Sequence, residues 1–266
     1  MNKINAITSE LQSEVELLKT SSRPKIVFIG GVPGAGKSLL IKKAQVDFEN
    51  DEFSIIEPDL YRKYFKEAKS VEETVESTNK IELNLLCYAL KNKKNIIHIS
   101  SLRAFEYINK LINEVILPLG YDVYLYVIVT NEIESALSTY ERYIYDKQNK
   151  EPFPRINRYE YLMNANKSFK QAIAFFSTKG YFKNISLFKR GKEMSLPIKL
   201  NKLSDNIVRL AEEEEKRQIS ELDFNKIYSR INDVKKNLSL TSELEEFEKV
   251  VNGIIYRFKD RNIDSR

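Results

Sequence analysis

The chain has 266 residues, of which 42% are hydrophobic and 11% aromatic, and its formal net charge of +5 is mild. This length and composition predict one sizeable α/β domain with an accessory segment, and the absence of a basic stripe with interleaved aromatic residues argues against nucleic acid as a partner. No apolar run approaches the ~20 residues of a membrane span, and one cysteine with one histidine allows neither an internal disulfide nor a zinc cluster, so we expect a cytoplasmic protein without a membrane partner.

Short apolar runs and longer amphipathic stretches alternate along the chain, after a short amphipathic helix at the N-terminus. Five of the apolar runs are predicted to be strands: 25–31, 53–59, 95–100, 122–130 and 182–190. Helical periodicity predicts five helices around them: 38–48, 71–94, 104–120, 132–146 and 161–180. The segment 147–161 has two prolines and no helical stripe, which predicts a mobile loop. This alternation is typical of a mainly parallel sheet of about five strands, covered by helices on both faces.

Residues 30–38, Gly-Gly-Val-Pro-Gly-Ala-Gly-Lys-Ser, contain four of the chain's eight glycines and directly follow the first predicted strand. The segment from Gly31 to Ser38 fits the P-loop pattern G-x-x-x-x-G-K-[ST], with a strand before it and a helix after it. In such a loop, backbone N–H groups cradle phosphate oxygens, the lysine reaches the β- and γ-phosphates, and the hydroxyl ligates Mg²⁺. The sequence therefore predicts a P-loop NTPase three-layer fold that binds ATP or GTP with Mg²⁺. The predicted nucleotide-binding residues are Gly31, Gly34, Ala35, Gly36, Lys37, Ser38 and Leu39, with Ser38 as the metal ligand.

The predicted organisation has three parts: an N-terminal helix in 1–22, a P-loop kinase domain in 23–204 and a C-terminal helical segment in 205–266. The last part is glycine-poor, charged and helically periodic. We therefore expect it to form a helical appendage.

Asp59 lies at the end of the second predicted strand, in the segment Glu-Pro-Asp-Leu-Tyr-Arg. In parallel sheets, ligands bind at the carboxyl ends of the strands, so this carboxylate is expected near the P-loop. There it can accept the proton of an attacking hydroxyl. Arg62, one helical turn further on, can hold an anionic group of the acceptor or pair with Asp59. The alternative is that Asp59 only caps the helix that follows.

Three arginines form a further candidate group. Arg142 lies on the helix after the fourth strand, and Arg155 and Arg158 lie in the proline-containing loop. Phosphoryl transfer is catalysed mainly by positioning and by cations at the peripheral phosphate oxygens, which arginines on a closing lid would supply. The alternative is that they only solvate a surface helix and loop.

Taken in order, these segments resemble the zeta toxin family of P-loop kinases, the toxins of toxin–antitoxin systems. The resemblance covers about residues 25–190 and rests on GGVPGAGKS, IIEPDLYRKYF, NIIHISSLR, GYDVYLYVIVT, ALSTYERY and FPRINR. It implies that Asp59 activates a sugar hydroxyl and that Lys37, Arg142 and Arg155 act on the transferred phosphate. It also implies a small helical antitoxin that blocks the nucleotide site, and the 3′-hydroxyl of UDP-N-acetylglucosamine as acceptor.

The chain departs from the family where the acceptor is recognised. The family segment resembles I-E-G-T-x-R, whereas this chain reads HISSLR, so that Ile99 stands in place of the glutamate and Ser101 in place of the threonine, while Arg103 is retained. An isoleucine cannot accept a hydrogen bond from a sugar. Glu82 resembles a second substrate carboxylate. The predicted acceptor-binding residues are Arg62, Glu82, Ser101, Arg103 and Arg158.

We therefore expect a zeta-toxin-like phosphotransferase that transfers the γ-phosphate of ATP or GTP to a hydroxyl of a small molecule, such as UDP-N-acetylglucosamine or a related sugar nucleotide. Two alternatives stay open. One is a nucleotide-binding regulatory module that has lost its acceptor site, and the other is a nucleic-acid end kinase.

Overall fold

The computed structural model describes residues 3–191, 196–201, 206–217 and 221–263. One sheet contains the strands β1 (Lys25–Gly31), β2 (Phe53–Ile56), β3 (Asn95–Ser100), β4 (Asp122–Val129), β5 (Phe182–Lys189) and β6 (Ile198–Lys199). The strand order is β2-β3-β1-β4-β5-β6. The first five strands are parallel, and β6 pairs antiparallel with β5. The expected mainly parallel sheet is confirmed, with a two-residue edge strand added to it.

The helices within the described ranges alternate with the strands up to β5. They are α1 (Lys3–Glu16), α2 (Lys37–Asp47), α3 (Val71–Lys91), α4 (Phe105–Leu111), α5 (Glu132–Gln148), α6 (Tyr159–Ser177), α7 (Ile207–Glu215), α8 (Glu221–Asn237) and α9 (Thr241–Ile263). A 3₁₀ helix covers Pro58–Tyr64, and a π-helical turn, Ile112–Ile116, extends α4. The segment between α5 and α6 is a loop, as expected, but it is shorter than 147–161 because both helices reach into that range.

The sheet lies in the main hydrophobic core. Central strand residues such as Phe28, Ile29 and Val127 are at most 1% exposed. Buried side chains of this size each contribute roughly 1.5–3 kcal/mol of hydrophobic stabilisation. The continuous apolar runs of β1 and β4 are therefore explained by helices packing on both sheet faces.

A second hydrophobic cluster joins α5 and α6 to the C-terminal helices α8 and α9. At its centre the rings of Tyr140 and Phe247 lie 4.7 Å apart between centroids. Helix α7, in contrast, packs on the sheet core through Ile207 and Ala211. Within the C-terminal segment, the change from the first cluster to the second therefore comes after α7. The domain division at 205 stays a prediction. In the part of the chain that the structure describes, no helix is long and apolar enough to cross a membrane.

Candidate active site

The P-loop connects β1 to α2 and needs its glycines. Gly36 precedes α2 with a φ of 96°, and Gly34 has a φ of 77°. A Cβ atom on Gly34 would lie 2.2 Å from the backbone oxygen of Ser135 in α5. Both the left-handed backbone and the close approach of α5 therefore require glycine. Ser135 also contacts the P-loop through its side chain, whose Oγ donates to Pro33 O at 2.6 Å.

Lys37 points back across the loop. Its Nζ donates to Gly31 O at 3.0 Å and to Val32 O at 3.3 Å. Burial lowers the pKa of Lys37. Four nearby charged residues also act on this pKa: Glu57 and Asp59 raise it, and Arg142 and Arg103 lower it.

The surroundings of Lys37 fit a nucleotide phosphate. The ammonium's hydrogen-bond partners are neutral carbonyls, so an anion can replace them. The left-handed glycines open the loop for backbone donors, and the exposed Ser38 starts the first turn of α2. Within the described residues there is no group of three or more His, Cys, Asp or Glu that could hold a metal ion. A Mg²⁺ ion held by one hydroxyl, phosphate oxygens and water needs no such group.

Asp59 lies inside the 3₁₀ helix that follows β2, and Glu57 takes the N-cap position. The alternative in which Asp59 caps this helix therefore does not describe the structure. Asp59 Oδ1 instead forms an ion pair with Arg62, whose Nη2 lies 2.8 Å away, and the Asp59 side chain is 48% exposed. The carboxylate is both held and open to solvent, which suits a group that must meet an acceptor hydroxyl.

Glu57 was missed by the sequence reasoning. It is half-buried, and burial raises its pKa, with the charge of Asp59 acting in the same direction. The positive charges of Lys37 and Arg142 have the opposite effect and lower the pKa of Glu57. Its position at the end of β2, beside Pro58, was the available signal, because strand ends at the carboxyl edge of the sheet are where ligands bind.

The arginines form two groups around the carboxyl edge of the sheet: Arg142 by itself, and Arg103 with Arg155. Arg142 on α5 is 74% exposed, and its Nε lies 3.7 Å from Asp146 Oδ2. Arg103 and Arg155 both lie over the ring of Tyr161, at 4.9 and 4.8 Å from its centroid. Arg103 Nη2 also donates to Tyr161 Oη at 3.0 Å. Tyr161, which no motif singled out, thus joins the loop arginine to the end of β3.

Arg158 differs from Arg155. Its side chain is exposed, and its backbone carbonyl accepts from Leu162 N at 3.0 Å at the start of α6. No described contact links its guanidinium to the P-loop side. Of the two loop arginines, only Arg155 lies against a residue that also contacts the end of β3.

The remaining predicted acceptor residues lie near β3. Ser101 Oγ accepts from Arg103 Nε at 3.2 Å, so this pair lies together. Glu82 Oε1 lies 2.8 Å from His98 Nε2, which ties the carboxylate to β3. Ile99 is 3% exposed and belongs to the sheet core. This position therefore presents no side chain to the open face of the site.

Arg190, at the end of β5, is a further residue that the sequence reasoning missed. Its guanidinium donates to Gly34 O, and its Nη1 donates to Ser138 Oγ at 2.9 Å. The carboxyl-end rule that ranked the other strand ends applies equally to β5. No motif in the sequence marks this position.

The strand–loop–helix unit at the centre of this sheet, with charged side chains at the neighbouring strand ends, defines a P-loop nucleotide-binding protein of the kinase class. A family model, Zeta toxin, matches residues 8–200. Since this match covers well over half of the chain, the protein belongs to the zeta toxin family of P-loop kinases.

Solved structures with the same fold include toxin–antitoxin proteins. A chain from the PezAT chromosomal toxin–antitoxin system of Streptococcus pneumoniae matches with a TM-score of 0.69 at 19% identity, over 87% of this chain and 96% of that chain. A chain of the AvrRxo1-ORF1:AvrRxo1-ORF2 complex with ATP matches with a TM-score of 0.59 at 13% identity, over 95% of this chain and 84% of that chain. At these identities the likeness establishes the fold. No curated protein matches the sequence.

Proposed function

We propose that this protein is a zeta-toxin-like kinase that transfers the γ-phosphate of ATP or GTP to a hydroxyl of a small molecule in the cytoplasm and so acts as a bacterial toxin. The observation that carries the proposal is the set of charges around Lys37. The carboxylates of Glu57 and Asp59 and the guanidiniums of Arg142 and Arg103 all act on this one ammonium. A nucleotide-binding loop, a candidate base and phosphate-binding cations therefore meet at one edge of the sheet.

On the nucleotide side, Lys37 exchanges its two loop carbonyls for the β- and γ-phosphate oxygens. The N–H groups of Gly34 and Gly36 and the N-terminus of α2 would face the same phosphates. Ala35 N donates to Val32 O at 3.2 Å and Leu39 N donates to Gly36 O at 3.0 Å, so these two N–H groups would exchange their loop carbonyls for phosphate oxygens. The hydroxyl of Ser38 is the protein's ligand for Mg²⁺, which neutralises charge on the phosphates when bound.

On the acceptor side, Asp59 takes the proton of the acceptor hydroxyl as its oxygen bonds to the γ-phosphorus. The bond from the γ-phosphorus to the bridging oxygen breaks, and its electron pair leaves with the nucleoside diphosphate. Arg142 and Arg155 stabilise the charge of the transferring group. Arg62 pairs with the Asp59 carboxylate and fixes its direction.

The proposed acceptor is UDP-N-acetylglucosamine or a related sugar nucleotide. Arg103 and Ser101 would bind it as a pair, with Arg62, Glu82 and Arg158 as the remaining contacts. Because Ile99 is buried where the family has a glutamate, recognition of the sugar must differ from the family pattern. A small helical antitoxin that covers the nucleotide site is the proposed partner.

An unbiased metabolite screen tests the proposal. Purified protein is incubated with ATP, Mg²⁺ and a bacterial metabolite extract, and small molecules that gain the mass of one phosphate are identified by mass spectrometry. We expect one class of product with the wild type and none with Asp59→Asn. The same products from both proteins would remove Asp59 as the base.

One observation favours a second function, a nucleotide-binding regulatory module. The buried Ile99 leaves the acceptor side without the family's carboxylate. Labelled ATP that binds but yields no labelled product from the extract would support this module. A labelled oligonucleotide in the same assay tests the nucleic-acid end kinase.

A further inference from the structure

Arg190 places a positive charge against the P-loop. Its guanidinium donates to Gly34 O and to Ser138 Oγ, and a Cβ on Gly36 would lie 3.7 Å from its Nε. Burial lowers its pKa, and Glu134 opposes this shift. Among the residues that the structure describes, no carboxylate forms an ion pair with it. The hydrogen bonds that hold this half-buried cation therefore come from neutral groups alone.

The C-terminal helix α8 reaches the same place through Arg230. Its Nε and Nη2 donate to the two carboxylate oxygens of Glu141 at 2.7 and 2.8 Å, and Nη2 also donates to Ser138 Oγ at 3.2 Å. This bidentate pair is of the stronger kind, and it raises the pKa of Arg230. The hydroxyl of Ser138 thus accepts from Arg230 on one side and from Arg190 on the other.

These contacts form a continuous path from α8 to the P-loop. Arg230 fixes Ser138 and Glu141 on α5, Ser138 fixes Arg190, and Arg190 holds the carbonyl oxygen of Gly34. This oxygen and the N–H of Ala35 belong to one planar peptide, and the N–H donates to Val32 O at 3.2 Å. The bond from Arg190 therefore holds one side of a peptide whose other side closes the turn of the P-loop. The charges of Glu141 and Glu134 both act on these two guanidiniums, so the path depends on its hydrogen bonds and not on an excess of positive charge.

We propose that α8 contributes to nucleotide binding through Arg230, which acts as a positioning residue. It holds Arg190 against Gly34 and so sets the affinity of the P-loop for nucleotide. The proposal rests on the nucleotide binding in the proposed function and is independent of which acceptor is phosphorylated.

The test is the dissociation constant of a fluorescent ADP analogue with Mg²⁺, measured on the full chain. We expect Arg230→Ala to raise it about fivefold to tenfold, since a charge-assisted network is lost. Ser138→Ala is expected to raise the dissociation constant by a similar factor. The double variant should bind no more weakly than the weaker of the two single variants, because both changes break the same path. Arg230→Lys keeps one bond to Glu141 and should restore affinity to within about twofold.

Lys235→Ala is the matched control. It lies on the same helix but pairs with Glu248 of α9 at 2.9 Å. We expect its dissociation constant to equal that of the wild type. Thermal unfolding, recorded for every variant, separates lost affinity from lost folding. If Arg230→Ala does not fold, Glu141→Gln keeps an acceptor at the same place and should raise the constant about twofold to threefold.

An unchanged dissociation constant in folded Arg230→Ala would overturn the inference and leave the proposed kinase intact. A shifted constant in a protein that phosphorylates no acceptor would support the inference and contradict the kinase. If the wild type binds no nucleotide, both are wrong.

Discussion

The nucleotide half and the acceptor half of the candidate site are held in different ways. On the nucleotide side, Lys37 bonds two loop carbonyls, and Ser135 and Arg190 hold the P-loop from α5 and β5. On the acceptor side, Asp59 is half exposed and bonds its own neighbour, Arg62, while Arg142 is 74% exposed. The first half is tied to the core through several elements, whereas the second includes the exposed side chains of Asp59 and Arg142.

The loop between α5 and α6 also differs from the nucleotide half, because two of its non-glycine residues have a left-handed backbone. Lys150 and Phe153 have φ values of 53° and 64°, which non-glycine residues adopt only with strain. Such strain favours a loop that changes conformation when ligand binds. We therefore propose that the nucleotide half is preorganised and that the acceptor half closes to bring Arg155 to the phosphate. Changes in the first half should weaken binding and transfer together, and changes in the second should weaken transfer alone.

The largest expected effect is that of Lys37→Ala. It removes the ammonium that we propose binds the phosphates and stabilises the transferring group, so we expect transfer to fall at least about 10⁴-fold. Nucleotide affinity should fall as well, by more than about tenfold. Binding of a fluorescent ADP analogue and labelled-phosphate transfer measure the two effects. Full affinity in the variant would show that the loop does not use this lysine.

Asp59→Asn should weaken transfer without weakening nucleotide binding, and so distinguish the acceptor half from the nucleotide half. The amide is isosteric and cannot take the acceptor's proton, so we expect transfer to fall about 10²–10⁴-fold. Nucleotide affinity should stay within about twofold, because Asp59 lies outside the loop. A comparable loss of affinity would mean that the acceptor half is not independent of the nucleotide half.

The loop arginines offer a matched pair. Arg155→Ala removes a guanidinium that lies over Tyr161, and we expect transfer to fall about 10²–10³-fold. Arg158→Ala, three residues further on, removes an exposed side chain and should change transfer less than about threefold. Equal losses would show that lid closure brings both arginines to the phosphate, and a larger loss for Arg158 would reverse their roles. Arg142→Ala should resemble Arg155→Ala.

Much of the nucleotide half follows from sequence because its parts are contiguous. A strand, a glycine-rich loop and a helix within about fifteen residues fix both the motif and its geometry. Asp59 and Arg103 were predictable from the strand-end rule. The same rule covers Arg190, although no motif marks it. Tyr161 and Arg230 were not predictable, since each acts through contacts between elements far apart in the chain. The loss of a hydrogen-bond acceptor at Ile99 was predictable from its side chain, whereas its burial at 3% exposure required the fold.

Lys37→Met should have the smallest effect, and it acts on stability. The lowered pKa of Lys37 shows that the folded chain disfavours the ammonium relative to the unfolded chain. Replacing it with an uncharged side chain of similar length should therefore raise stability near neutral pH by about 1 kcal/mol, or roughly 2–4 °C in Tm. Such a gain is expected where a functional group is kept at the expense of stability.

The pH dependence gives a second measure of the same effect. The unfolded chain keeps the Lys37 proton to a higher pH than the folded chain does. As pH rises through the interval between the two pKa values, the unfolded state binds more protons and the wild type gains stability relative to Lys37→Met. The difference in Tm between the two proteins should therefore shrink at alkaline pH. Lys37→Arg, which stays charged throughout, should show no such convergence with the methionine variant. Convergence of Lys37→Arg as well would mean that a group other than Lys37 causes the change with pH.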